Sequence, residues 1–273
     1  MPSTISAHVS ARARRASDSR PAQVMARTGL TARGVIYILI GWIAIMVALG
    51  RTTGEADQRG ALQSLSGKPY GLISLWLLAA GFAAYALWRL SEAAFGVTVD
   101  GNGAGPRLKS LARAVLYASL AVTTFSVITG AKRSQSGQQR DWTARVMSHP
   151  GGRWAVGLLG VIVVIVGLVL AVQGVRRRFV KYLKTAHMSA KMRRVVIRLG
   201  MIGTTARGLV FALTGALVVE AAVKYQPSKA GGLDTALRTL RDQPFGMFAL
   251  IVAALGLMTF GVYGLCEARW RKV

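Results

Sequence analysis

The chain is short of acid. Only 10 of its 273 residues are Asp or Glu, against 35 Lys and Arg, which leaves a formal net charge of +25. Charge of either sign is thin too, at 16% of residues against 52% hydrophobic, whereas a soluble globular domain has about 25% charged and about 45–50% apolar residues. A soluble nucleic-acid binder this basic is expected to be richer in charge along helix faces or grooves, so nucleic acid is not an expected partner. A single cysteine, Cys266, excludes a disulfide framework and carries no compartment signal. The three histidines, His8, His149 and His187, lie far apart in tail or loops. With no His-Glu-x-x-His run beside them, no metal, haem or other cofactor is expected. No nucleophile elbow or carboxylate dyad stands out, so catalysis is not expected either. The run DGNGAGP (100–106) looks like a phosphate or calcium loop but lacks both the Lys-Ser/Thr ending and the terminal Glu, and reads as a linker.

What the chain does have is long stretches without charge. Residues 34–50, 69–88, 114–131, 154–175 and 243–266 contain no Asp, Glu, Lys or Arg, and 208–223 is broken only by Glu220. A bilayer core about 30 Å thick needs about 20 helical residues. Once snorkelling flanks are allowed, six transmembrane helices are expected near 31–50, 70–92, 112–131, 152–175, 205–223 and 245–267. Aliphatic runs such as GLLGVIVVIVGLVLAV (157–172) show no period-2 alternation, which excludes a membrane β-barrel. The expected fold is an all-α membrane protein.

Lys and Arg divide unequally between the two sides of those helices. With the N-terminus inside, the inner segments hold 23 and the outer segments 12. The positive-inside bias then puts both termini in the cytoplasm and the protein in a plasma membrane. Residues 1–25, rich in Ala, Ser and Arg and without an apolar h-region, read as a disordered basic cytoplasmic tail attracted to anionic lipid, not as a secretory signal.

Internal repetition is the most informative feature. TARGVIY (31–37), LARAVLY (111–117) and TARGLVF (205–211) open the first, third and fifth helices. KPYG (68–71), HPGG (149–152) and QPFG (243–246) open the second, fourth and sixth. The arginine-to-proline spacing is 36, 37 and 37 residues, and 23 residues beyond each proline stand Glu92, Gln173 and Glu267. Three tandem two-helix hairpins in parallel orientation follow, at 26–98, 107–184 and 199–270, with a basic cytoplasmic linker at 185–198. ALQSLSGKPYG (61–71) and ALRTLRDQPFG (236–246) add a short amphipathic helix before the proline, expected on the outer surface; the middle copy is looser. Proline suits a first helical turn, where its missing N–H costs nothing. Small residues such as Ala79, Ala80, Ala83, Ala84, Gly157 and Gly160 allow helices to approach closely. Tyr37, Tyr117, Trp42, Trp88 and Trp270 read as interface or packing aromatics.

The Ala-Arg-Gly-x-x-Tyr opening together with the Pro-aromatic-Gly start of the partner helix resembles the bacterial family known as domain of unknown function 1206. The resemblance runs from about Ala26 to Trp270 and implies a membrane protein of repeated two-helix units. The middle copy departs from the pattern at Ala114, Gly151 and Gln173. No reaction, substrate or catalytic residue comes with it.

Arg33, Arg113 and Arg207 oppose the macrodipole at helix N-termini, as Glu92 and Glu267 do at helix C-termini. Antiparallel pairing within a hairpin predicts the ion pairs Arg33–Glu92 and Arg207–Glu267. Gln173 then leaves Arg113 without an acid, open to an anionic headgroup or an acidic partner, for which a planar guanidinium fork is suited. Glu220, an intramembrane acid near an interface, is expected to pair locally with Lys224. The segment 176–198 holds nine basic residues and no acid. Its Arg176, Arg177, Arg178, Lys181, Lys184, Lys191, Arg193 and Arg194, mixed with apolar residues, predict an amphipathic helix against anionic headgroups. The functional expectation is a non-enzymatic scaffold or accessory component that interacts with anionic lipid or a membrane-protein partner. The alternative is a small-solute or ion transporter built on three pseudo-symmetric repeats.

Overall fold

The computed structural model describes residues 20–95, 103–130 and 134–271. Most of the expected N-terminal tail and residues 100–102 of the DGNGAGP linker lie outside them. Nine α-helices and no β-strand occur among the described residues. Each repeat supplies a long helix, a short helix and a second long helix. The first holds α1 (Arg20–Ala48), α2 (Gln58–Ser66) and α3 (Gly71–Phe95). The second holds α4 (Ala104–Ile128), α5 (Gln135–Met147) and α6 (Gly152–Val175). The third holds α7 (Ala190–Val223), α8 (Gly232–Arg241) and α9 (Gly246–Trp270). All six long helices are long and apolar enough to cross a membrane. The protein is a multi-pass, all-helical membrane protein.

Three helices begin earlier than the charge-free runs indicate. Residues 20–25, expected in the tail, are the first turns of α1, and α4 starts at Ala104. The largest departure is α7. Residues 190–198, expected in a linker and a separate surface helix, are its opening turns. The Ser189 hydroxyl caps that helix by accepting from the Met192 N–H at 3.3 Å, and no proline interrupts it before Val223. The rest of the basic segment makes two 3₁₀ turns, Arg178–Tyr182 and Thr185–His187. The charge pattern marks where hydrocarbon ends; it does not mark where helical hydrogen bonding ends, because flanking Lys and Arg snorkel.

The repeated Pro-x-Gly has a steric cause. Each short helix turns back directly into the next long one. A Cβ on Gly71 or Gly152 would sit 1.7 Å from the carbonyl oxygen of Leu65 or Val146, and one on Gly246 would sit 2.1 Å from that of Arg241. Only glycine passes that corner. The loose middle copy, with Gly at 151 in place of the aromatic, makes the same corner.

The closest helix contacts lie between repeats. The second long helix of each repeat packs along the first long helix of the next: α3 on α4, α6 on α7, and α9 back onto α1, which joins the last repeat to the first. Two of these contacts are built alike on glycine. A Cβ on Gly34 would meet the Gly261 carbonyl at 2.8 Å, and one on Gly41 the Ala254 carbonyl at 2.7 Å. At the equivalent places in the α6–α7 contact, Gly208 faces Gly167 at 2.7 Å and Gly215 faces Gly160 at 2.9 Å. Close backbone approach of this kind is how helices gain dispersion energy in lipid. Within repeats, α1 packs on α3 and α7 on α9, but α4 and α6 stand apart. Those two are the most lipid-exposed spans, with 22% of their apolar stretch buried against 56% for α1.

The core lies inside the first and third repeats, around Leu30, Ile40, Val47, Leu75, Phe82, Tyr85, Leu250 and Leu257. At one end the short helices cap it. Ala61, Leu62, Ala236 and Leu237 are buried, so the apolar faces of α2 and α8 cover protein, not the bilayer surface. Polar links tie the three repeats together there. Glu55 accepts from the Gln135 N–H at 3.1 Å and from the Ser136 hydroxyl at 3.0 Å, while Asp234 accepts from the Ala56 N–H at 2.8 Å. Arg140 donates to Thr235 at 3.0 Å.

Asp57 caps α2 in this cluster, accepting from the Gly60 N–H at 2.9 Å. Burial pushes its carboxyl up to about 7, helped by the nearby Glu55 and Asp234 carboxylates and opposed by that N–H. An unfolded Asp loses its proton near 3.9. Between those values the folded chain holds the extra proton, so the contribution to stability is full below about pH 4 and is lost as pH rises to about 7. Asp57→Asn keeps an acceptor and removes the titration. We expect it to flatten the fall in thermal midpoint between pH 4.5 and 7.5; an unchanged pH slope would refute the assignment.

Candidate functional site

The other end of the bundle, where α1 begins and α9 finishes, holds a cavity of about 550 Å³. The N-terminal parts of α1, α4 and α7 meet there with the C-terminal parts of α3, α6 and α9. Its charge is one-sided. The spans contribute Arg33, Arg89, Lys109, Arg113 and Arg207; Arg178, Lys181 and Arg271 come from the adjoining segments. Against these eight cations the described residues of the lining include one carboxylate, Glu267, and Glu92 stands just outside it, paired with Arg89. Tyr85, Tyr117, Tyr182 and Tyr263 supply further polar groups, with Gln173 on the α6 wall.

The repeat-matched residues converge as their register implies, but the ion pairs differ from expectation. Arg33 donates to Glu267 at 2.5 Å, linking the first repeat to the third. Glu267 also accepts from Arg271, one turn further along the chain. Glu92 accepts from Arg89 at 2.5 Å and from the Ser110 hydroxyl at 3.2 Å. The expected pairs Arg33–Glu92 and Arg207–Glu267 are therefore replaced by a pair across the ring and a local one. The cause is the packing order: the acid at the end of each second long helix faces the next repeat, because those helices make the close contacts. In that order Gln173 stands on the helix that packs against α7, and Arg207 is the arginine that lost its acid.

Neither Arg113 nor Arg207 has a carboxylate within 4 Å among the described residues. Arg207 lies against rings instead, its guanidinium carbon 4.8 Å from the centre of Phe260, 5.0 Å from Phe211 and 5.3 Å from Tyr37. Such contacts hold a cation without neutralising it. The Arg207 Nε and the Tyr263 hydroxyl are buried without a hydrogen-bond partner among the described residues. Arg89 is held more fully, donating to the Tyr85 hydroxyl at 2.7 and 3.1 Å and stacking 4.3 Å from Trp88.

Sequence reasoning missed Arg89, Lys109, Arg271 and most of the tyrosines. Arg89–Glu92 and Glu267–Arg271 are visible as i,i+3 and i,i+4 spacings, and Lys109 stands one turn before Arg113 on the same face of α4. Of the expected headgroup cluster, only Arg178 and Lys181 line the cavity. Arg176, Arg177, Lys191, Arg193 and Arg194 are exposed outside it, and Lys184 is half-buried, its N–H donating to the Trp270 carbonyl at 2.7 Å. Phe179 packs edge-on to Tyr263 at 5.2 Å, so the 3₁₀ segment folds over the cavity. Glu220 lies elsewhere, paired with Lys224 at 2.7 Å, as expected, and also with Lys229 at 2.5 Å. No group of three potential metal ligands occurs among the described residues.

The family described as Domain of Unknown Function (DUF1206) matches the chain three times, at residues 28–96, 108–177 and 202–271. These spans coincide with the three helical units. The chain is 32% identical over 250 residues to the uncharacterized protein YxxB of Bacillus subtilis (strain 168), covering 90% of each chain. No solved structure matches it.

Proposed function

The chain belongs to the bacterial membrane family described as Domain of Unknown Function (DUF1206), and from that footing we propose that it is a non-enzymatic membrane component whose cavity holds the headgroup of an anionic lipid. The observation that carries this reading is that Arg113 and Arg207 both line the cavity with no carboxylate within 4 Å among the described residues. Cations crowded in a low-dielectric site repel one another and lack the hydration that would screen them. A phosphate relieves both costs, because guanidinium forks donate paired hydrogen bonds to its oxygens. The Tyr263 hydroxyl and Arg207 Nε, without a hydrogen-bond partner among the described residues, add donors of the right kind. In this reading the three hairpins run parallel, both termini face the cytoplasm of a bacterial plasma membrane, and the cavity meets the inner leaflet.

Native mass spectrometry of the protein from mixed micelles tests it. Phosphatidylglycerol should be retained at least about tenfold better than phosphatidylcholine, a difference of about 1.4 kcal/mol. The double variant R113Q/R207Q should lose that preference. Equal retention of both lipids by the unaltered protein would refute the reading. A transporter is the second reading, favoured by the enclosure of the cavity by parts of all six spans. Specific anion flux in liposomes would promote it.

A further inference from the structure

We propose that the phosphate-bearing ligand is a membrane lipid that reaches the cavity sideways, through the cleft between α4 and α6, and keeps its hydrocarbon in that cleft. This rests on the headgroup reading above and adds the route and the amphiphilic nature of the ligand.

Two of the three repeats close on themselves, α1 against α3 and α7 against α9, but the middle repeat does not. The cavity reaches into that opening. Its wall includes Leu116 and Lys109 of α4 and, across from them, Leu170 and Gln173 of α6. Leu116 is also 48% exposed, so a side chain of the cavity wall is reachable from outside the bundle. Leu170 is half-buried at the facing edge.

The chemistry changes across this opening in the order that a lipid needs. Beyond Leu116 on the flank of α4 stand Leu108 and Val115, both exposed and apolar. Inside stand Arg113, Lys109 and Arg207. A phosphate with attached hydrocarbon satisfies both regions, whereas a soluble phosphate leaves the cleft to be filled by other chains. Position along the helices agrees: Lys109 and Arg113 both lie within the first three turns of α4, which starts at Ala104. Both also stand just before the charge-free run 114–131, at the edge of the hydrocarbon where phosphates lie.

The test widens the side chains at the cleft mouth and leaves the cations in place. The variant L116W/L170W is compared with the unaltered full-length protein in mixed micelles by native mass spectrometry. Its two arms are phosphatidylglycerol and the soluble glycerol phosphate. L158W serves as control, since Leu158 is exposed on α6 and does not line the cavity. The proposal expects L116W/L170W to weaken phosphatidylglycerol retention at least about tenfold more than it weakens glycerol phosphate binding, with retention by the L158W control unchanged. Retention equal to the unaltered protein would overturn the lateral route while leaving the headgroup reading intact. Glycerol phosphate binding as tight as the lipid would overturn the amphiphile assignment. No preference for phosphatidylglycerol in the unaltered protein would remove both. If the double variant does not fold, L116W and L170W separately should each give a smaller loss of the same sign, and no loss in either overturns the route.

Discussion

Replacing Glu267 by Gln destabilises the detergent-solubilised protein by about 3–5 kcal/mol, the usual cost of leaving a buried charge without its partner. Glu267 is 6% exposed, and its two oxygens serve two guanidinium groups, Arg33 on α1 and Arg271 just beyond α9. The amide preserves shape and one acceptor but removes the charge. Arg33 and Arg271 then face each other's field and that of Arg113, with no second carboxylate among the described residues of the lining. The damage is structural because the pair closes the ring: α9 lies along α1 through Gly34, Gly41 and Gly261, and Arg271 continues into a bridge with Leu183. Thermal unfolding followed by circular dichroism measures the loss. Glu220→Gln is the comparison, since that carboxylate is more exposed and its pairing with Lys224 and Lys229 is screened by water. A midpoint for E267Q no lower than for E220Q would rule out the central role of this pair. The same substitution leaves the cavity more cationic. Retention of phosphatidylglycerol per folded molecule should therefore rise as stability falls, a combination that simple unfolding does not produce.

The architecture is legible in sequence because each unit repeats its constraints. The Pro-x-Gly corner, the Ala-Arg opening and the six charge-poor runs are local patterns, and local patterns are what one sequence displays. The partner of Arg33 is not legible from hairpin logic. Sequence adjacency suggests that α1 and α3 set the contact, whereas backbone approach is decided by where glycine permits it. Gly34 and Gly41, seven residues apart, recur as Gly208 and Gly215, and Gly160, Gly167 and Gly261 face them from the second long helices of other repeats. That recurrence is the available signal for packing between repeats. The middle copy has Ala114 and Ala121 where the others have glycine, and its own α4 and α6 stand apart. Such an opening depends on the balance of contacts over the whole bundle, and no residue announces it.

Gln173→Glu is expected to raise stability and to weaken retention of anionic lipid by about tenfold or more. The α6–α7 contact copies the α9–α1 contact in its glycines, so residue 173 stands to Arg207 as Glu267 stands to Arg33. A carboxylate there gives Arg207 the acid that the other contact already has. Arg207 at present lies against the rings of Tyr37, Phe211 and Phe260, with its Nε unpartnered among the described residues. An ion pair would turn its fork toward the new carboxylate on α6 and away from the centre of the cavity. Hydrogen bonds to charged groups are worth about 1.5–3 kcal/mol, so losing one guanidinium from the headgroup costs about tenfold to a hundredfold in affinity. Native mass spectrometry against phosphatidylglycerol reads the affinity, and thermal unfolding reads the pair. R207Q separates the two effects, because it should weaken binding to a similar degree without the gain in stability. If Q173E stabilises the protein while lipid retention stays unchanged, Arg207 does not contact the headgroup, and the anion is held by Arg113 and its neighbours on the α4 side alone.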